Sequence, residues 1–261
     1  MWALILGGSS GFGAASARAF AAAGYDIAVV HLDRRGTMPQ VEALQAEIAG
    51  MGRAAVFYNV NAADDERRAE IVRDLQDRGA NVRVLLHSIA FGSLLPFVPP
   101  EAAPGEKQAK GASRKQLEMT LDVMANSLVY WSQDLVNTGL LGRGGRIYAM
   151  TSSGSHVAWA SYGPVAAAKA CLEAYCRQLA LELAPRGITT NAILAGVTRT
   201  PAVEKIAGAQ KLLEGAQSRN PFGRLTKPDD VARALVLLAS QDAHWINGNV
   251  LRIDGGEDVC G

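Results

Sequence analysis

Short apolar runs alternate with longer segments of mixed character along the whole chain. The runs at Ala3–Leu6, Ile27–Val30, Ala55–Tyr58, Val82–Leu86, Arg146–Met150, Thr189–Leu194 and Val250–Ile253 are apolar nearly throughout. That continuity predicts strands covered on both faces, because a strand with one wet face would alternate. The intervening segments Ala14–Ala23, Pro39–Gly50, Asp65–Arg78, Arg114–Thr138, Gly163–Ala184 and Asp229–Ser240 predict helices. Pro164 falls where a first helical turn tolerates it, and Pro228-Asp229-Asp230 reads as a helix start. Strand and helix in strict alternation predict an α/β fold: one doubly wound parallel sheet, helices on both faces, right-handed crossovers and a single domain over residues 1–261.

Two segments break the rhythm. Residues 94–113 carry four Pro and two Gly after a strand end, and residues 198–221 follow another strand end as a weakly capped amphipathic stretch. Ligands of doubly wound sheets bind beyond the carboxyl ends of strands. The first is therefore expected to be an insertion loop and the second a substrate-binding loop. Lys and Arg number 26 against 25 Asp and Glu, so no basic excess exists for a nucleic acid. The longest uncharged stretch, Ile147–Ala168, is rich in Ser and broken by Pro and Gly, unlike a membrane span. Cys171, Cys176 and Cys260 form no paired framework and read as free thiols. No metal-ligand spacing is present, and the expected location is cytoplasmic.

The chemistry begins after the first strand, at Gly7-Gly8-Ser9-Ser10-Gly11-Phe12-Gly13. A glycine-rich turn between a strand and a small-residue helix lets the backbone approach a pyrophosphate, which rests on the helix N-terminus. This makes the expected sheet Rossmann-type and assigns Gly7, Ser9, Gly11, Phe12 and Gly13 to a dinucleotide. At the end of the second strand an acid would hold the ribose 2′-hydroxyl of NADH, and arginine would take the extra phosphate of NADPH. The sequence there reads His31-Leu32-Asp33-Arg34-Arg35. With His31 at the strand end and Arg34 behind it, NADPH is expected; Asp33, 20 residues past Gly13, keeps NADH as the alternative.

With Asn59-Val60 after the third strand, Asn126 in a central helix, Ser152 after the fifth strand, a Tyr/Lys pair and Asp254-Gly255-Gly256, the chain resembles the short-chain dehydrogenase/reductase superfamily over its whole length. That superfamily ordinarily shows Tyr-x-x-x-Lys with Ser thirteen residues before the Tyr. Here Val165 stands four residues before Lys169, and valine has no proton to give. Tyr162 is the nearest candidate, seven residues and two helical turns before Lys169, about 10 Å by rise and still on one face. Tyr-x6-Lys, His87-Ser88-Ile89-Ala90-Phe91-Gly92 and Ala195-Gly196-Val197-Thr198-Arg199-Thr200 together resemble the divergent enoyl-[acyl-carrier-protein] reductases. The compact glycine loop and Ser152 in place of a second tyrosine resemble a minor type of that group.

The resemblance implies reduction of a trans-2-enoyl thioester, carried on acyl carrier protein or coenzyme A, by a homotetramer. It implies Tyr162, Lys169, Ser152 and Asn126 as the catalytic set, although Asn126 is equally readable as a helix bridge. It places His31, Arg34, Asn59, Val60, Ser88, Ile89, Ala90, Lys169, Val197, Thr198 and Thr200 along the cofactor. It places Phe91, Gly92, Tyr162 and Ile206 against substrate, with Tyr148 and Trp159 as further walls. Ser155-His156 offers a hydrolase-like pair, but no acid sits at a supporting spacing. A carbonyl or β-ketoacyl reductase is the first alternative, and a nucleotide sensor without turnover the second. Loss of Tyr or Lys would mark the sensor, and this chain keeps both.

Overall fold

The computed structural model describes residues 1–105, 107–200, 203–205 and 208–260. All seven expected strands form: β1 (Trp2–Leu6), β2 (Asp26–His31), β3 (Ala55–Asn59), β4 (Val82–His87), β5 (Arg146–Thr151), β6 (Thr189–Ala195) and β7 (Val250–Ile253). They make one sheet in the order β3-β2-β1-β4-β5-β6-β7, and every pairing is parallel. Leu6 pairs with Val30 on one side and His87 on the other. The order reverses between β1 and β4, so a crevice opens beyond Leu6, where such sheets take their ligands.

The helices are α1 (Gly11–Ala22), α2 (Met38–Gly50), α3 (Asp65–Asp77), α4 (Arg114–Leu121), α5 (Ser127–Asn137), α6 (Gly163–Leu183), α7 (Ala209–Arg219) and α8 (Pro228–Leu238). Side chains along a strand point alternately to opposite faces, which accounts for the unbroken apolar runs. Leu4, Leu6, Leu85 and Ile147 pack with Ile71, Leu75, Leu128, Trp131, Leu172 and Leu179 of α3, α5 and α6. Ala3, Ile5, Val29, Leu86 and Ile193 pack on the other face with Phe20, Leu44, Ile48, Val231 and Leu235 of α1, α2 and α8. Tyr148 belongs to this second layer and is 1% exposed, so it is a core residue and not an acyl wall.

Two elements depart from expectation. The segment 114–138 is not one regular helix: a π-helical turn, Asp122–Asn126, joins α4 to α5. Such turns take up one extra residue and often lie at functional sites, and nothing in the composition of Asp-Val-Met-Ala-Asn announces one. The 198–221 segment contains a short 3₁₀ turn, Val203–Lys205, and α7. Among the described residues no helix is long and apolar enough to cross a membrane.

Candidate active site

The chain leaves β1 through Gly7 at φ +81° and enters α1 through Gly11 at φ +53°. A Cβ on Gly7 would lie 2.5 Å from the Ser88 carbonyl oxygen, one on Gly8 2.7 Å from Val29 Cγ1, and one on Gly13 would run into the Gly7 carbonyl. Glycine is thus required sterically by the threading of the loop between β2 and β4. Ser10 extends before α1 without capping it, and the first turn holds no acid. Its N–H groups and positive dipole end remain available to an anion such as a pyrophosphate. The Thr200 methyl group faces Gly11 across this opening. Phe12 packs against the α1–α8 layer.

At the end of β2 the expected roles change. His31 is 3% exposed, and its Nδ1 lies 3.0 Å from Asp33 Oδ2; it positions Asp33 from below and does not face the cofactor. Thr37 Oγ1 donates to Asp33 Oδ1 at 2.7 Å. Asn59 clamps the Asp33 backbone, accepting from its N–H at 2.9 Å and donating to its carbonyl at 3.0 Å. Val60 N–H donates to the His31 carbonyl at 2.8 Å. Burial alone would raise the Asp33 pKa, but hydrogen bonds from Ser9, Thr37 and His31 outweigh it and hold the carboxylate below its ordinary value. Since Ser9 belongs to the glycine loop, this anion borders the nucleotide crevice. Arg34 is exposed, and among the described residues its guanidinium makes no hydrogen bond; only its backbone carbonyl is engaged, by the Thr37 hydroxyl at 3.0 Å.

The displaced tyrosine reaches the site. Tyr162 is the N-cap of α6, and its hydroxyl lies 3.5 Å from Ser152 Oγ. Ser161 stands just before it at φ +59°, a left-handed conformation uncommon for serine. The ring direction therefore comes from a turn, not from helical periodicity alone. A Cβ on Gly154 would run into this ring, so Gly154, which the sequence reading passed over, makes room for the tyrosine. Val165 is 5% exposed and packs under Gly92, where an added Cβ would meet Val165, Thr120 and Met124 side chains within 2.9 Å.

Lys169 is fully buried, and its Nζ donates to the Met150 carbonyl at 2.6 Å and the Ile89 carbonyl at 3.3 Å. An ammonium has three N–H groups, so one remains. Burial pulls its pKa down to about 8, against the opposing Glu173 carboxylate. His87 is also buried, its Nε2 2.9 Å from Ser127 Oγ. Burial first, and the Lys169 cation second, push its pKa down to about 3, leaving a neutral imidazole. Burial raises the Tyr162 hydroxyl, with Ser152 opposing. Asn126 is not part of this group. Its Oδ1 accepts from Tyr175 at 2.9 Å and its Nδ2 reaches Asp122 at 3.4 Å, so its side chain bridges α6 to the π turn.

Ser88 N–H donates to the Leu6 carbonyl at 2.8 Å, and Ser88 and Ile89 run directly beside Gly7. Ala90 and Phe91 are exposed at the mouth. The described residues of the 94–113 segment form no helix or strand but fold back, with Ala112 N–H on the Pro96 carbonyl at 2.9 Å. The Phe97 ring lies against Gly163, where an added Cβ would come within 2.7 Å of it. Val197 does not offer its N–H to the cofactor, because Glu257 Oε2 accepts it at 3.0 Å. The Thr198 hydroxyl is likewise turned inward, onto the Gly196 and Thr226 carbonyls at 3.1 and 2.8 Å. Ile206 lies outside the described residues. His156 does find an acid: its Nε2 is 3.1 Å from Asp258 Oδ1, 102 residues away, and its Nδ1 3.1 Å from Ser155 Oγ. Sequence spacing misses it because the C-terminal tail folds back. The three cysteines are free thiols, Cys176 buried and the others half-buried.

A family model described as enoyl-(acyl carrier protein) reductase matches residues 7–257. The NADH-dependent enoyl-[acyl-carrier-protein] reductase of Aquifex aeolicus is 29% identical over 226 residues, covering 85% of this chain and 79% of that protein. A crystal structure of an Aquifex aeolicus enoyl-[acyl-carrier-protein] reductase superposes with a TM-score of 0.84 at 28% identity, covering 100% and 97% of the two chains. The 3-oxoacyl-[acyl-carrier-protein] reductase of Thermotoga maritima is similar at 27% identity over 255 residues, covering 97% and 96%.

Proposed function

Because this chain belongs to the short-chain dehydrogenase/reductase family, and is an oxidoreductase of it, we propose that it reduces the carbon–carbon double bond of a trans-2-enoyl thioester. The observation that carries this reading is Tyr162 on Ser152, seven residues before Lys169, while Val165 at the usual tyrosine position is buried beneath Gly92. A tyrosine held one turn farther from the lysine suits a carbonyl oxygen three bonds away from the carbon that receives hydride. The hydride itself is what a bound reduced nicotinamide supplies. Tyr162 donates its hydroxyl to the thioester carbonyl oxygen and holds the negative charge that gathers there as the enolate forms. Ser152 Oγ orients that hydroxyl. The remaining N–H of Lys169 binds the ribose hydroxyls, and its charge favours the enolate. The substrate is carried on acyl carrier protein or coenzyme A, and the working form is a homotetramer.

The cofactor reading moves to NADH. A 2′-phosphate beside the ionised Asp33 would meet like charge, and such repulsion is one way a site discriminates against a competitor. The ribose hydroxyl of NADH can donate to the same carboxylate. A ketone-reducing activity is the second reading, supported by the similarity to the 3-oxoacyl reductase and by Ser152, which suits a ketone equally well.

The test is nicotinamide oxidation with a trans-2-enoyl and a β-ketoacyl thioester, each with NADH and NADPH. Enoyl turnover with NADH is expected, falling about 10²–10⁴-fold in Tyr162→Phe as the general acid is lost. Keto turnover alone would replace the first reading with the second. Asp33→Asn should narrow the preference for NADH; an NADPH preference in the unmodified protein would overturn the role given to Asp33.

A further inference from the structure

The segment that leads from Ser152 to Tyr162 is weakly built. His156 to Ala160 are all exposed, and regular structure is confined to the short turn Ser153–Ser155. Ser161 holds a left-handed backbone that serine adopts at a cost, and no side-chain hydrogen bond caps α6 at Tyr162. The Gly154 backbone nevertheless lies against the Tyr162 ring, so drift of this turn reaches the ring directly. Ser155 N–H donates to the Ser152 carbonyl at 3.0 Å, and the His156 and Val157 N–H groups donate to the Ser153 carbonyl at 3.0 and 2.8 Å. Those bonds tie the turn only to itself and to Ser152.

Among the described residues one hydrogen bond joins residues 153–161 to the chain beyond 152–162: His156 Nε2 to Asp258 Oδ1, at 3.1 Å. Packing leaves part of this region unfilled, since a cavity of about 190 Å³ is bordered both by Ser153, Val157 and Trp159 and by Asp254, Glu257 and Cys260. Asp258 is the fixed end of the tie. Its side chain is 6% exposed, and Arg252 on β7 donates to its Oδ2 at 2.8 Å. Its own N–H and that of Gly256 donate to the Asp254 carboxylate at 2.8 and 3.0 Å. Burial alone would raise the Asp258 carboxyl, but hydrogen bonds from Arg252 and His156 outweigh it and hold it below the ordinary carboxylate value. A carboxylate only accepts, so His156 Nε2 carries a proton and donates. The ring's Nδ1 meets the Ser155 hydroxyl at 3.1 Å, which extends the tie to the turn itself.

We infer that His156 and Asp258 are positioning residues: the C-terminal tail clasps the Ser153–Ser155 turn and, through Gly154, holds the Tyr162 hydroxyl beside Ser152. The inference rests on Tyr162 as the working hydroxyl, which the enoyl- and ketone-reducing readings share.

The test is turnover of whichever thioester the protein reduces, with NADH affinity read by fluorescence titration, in His156→Ala, Asp258→Ala, the two combined, His156→Gln and Tyr162→Phe. Each alanine variant is expected to lower kcat about tenfold, part of the hundredfold that a misplacement near 1 Å costs, and to bind NADH as before. The combined variant should lose no more than either single one, because both remove the same contact. His156→Gln should regain most of the turnover, since its amide N–H can reach Asp258 where Nε2 does. A residue needed only for folding would move the thermal midpoint and not kcat. An unchanged kcat, additive losses, no recovery with glutamine, or weakened NADH binding alongside would overturn the inference. If Tyr162→Phe has then lost its turnover, the role of Tyr162 stands without the clasp. Full turnover by Tyr162→Phe would overturn both.

Discussion

Single atoms decide this site. Valine at position 165 leaves no hydroxyl four residues before Lys169, and the placement of the Tyr162 hydroxyl that we propose in its stead depends on a residue with no side chain. Gly154 leaves the space that the Tyr162 ring occupies beside Ser152. Gly154→Ala should push the ring away from Ser152 and lower turnover about a hundredfold, since a displacement near 1 Å is enough for that. Nucleotide affinity should not change, because the Gly7–Gly13 loop is on the other side of β4. Equal loss of both, read by turnover and by nucleotide fluorescence titration, would mean that the substitution damages the fold and not the tyrosine's placement. The sequence displayed Tyr162 and Lys169 directly, since a motif needs only residue types and spacing. It could not display Gly154, whose role exists only where two segments touch, nor the inward turn of the Thr198 hydroxyl.

At the scale of elements, hydrophobic pattern located each strand to within about one residue and set the helices that cover them. Pattern is legible because both faces of the central strands are buried, so most of their residues have an apolar reason to be there, whereas β3 and β7 at the edges are only half-buried. The π turn at Asp122–Asn126 was not legible; it is a choice of hydrogen-bond register that leaves apolar spacing nearly unchanged. The helices also carry fixed polar ties. Trp131 on α5 is fully buried and donates from Nε1 to the Ala62 carbonyl at 2.8 Å, joining α5 to the loop after β3. Trp131→Phe should cost about 1–3 kcal/mol, the penalty for a buried carbonyl left without its donor, plus a smaller packing loss. Urea unfolding would measure it. A loss under about 0.5 kcal/mol would show that water replaces the indole there.

The whole molecule gives up stability to keep a cation in its interior. Lys169 sits where β4, β5 and α6 meet, with a folded-state pKa of about 8 against 10.5 for the free side chain. Below about pH 8 both folded and unfolded chains hold this proton, and the full cost of burying the charge is present. Between about 8 and 10.5 the unfolded chain still binds the proton and the folded chain has released it, so raising the pH favours folding. Relative to Lys169→Met, the unmodified protein should therefore gain stability across that window, as read by paired urea midpoints from pH 7 to 10. Parallel curves would place the lysine in contact with water. By itself the sequence determined the doubly wound sheet, the nucleotide loop and the displaced tyrosine, because periodicity and short motifs are local properties of a chain. Tertiary structure alone decided that Asp33 and not Arg34 borders the glycine loop, that Asn126 bridges helices, and that Asp258 and Glu257 return from the C-terminal tail. Those outcomes depend on contacts between residues up to 102 positions apart, and the direction of a side chain at such a contact is set by what packs around it.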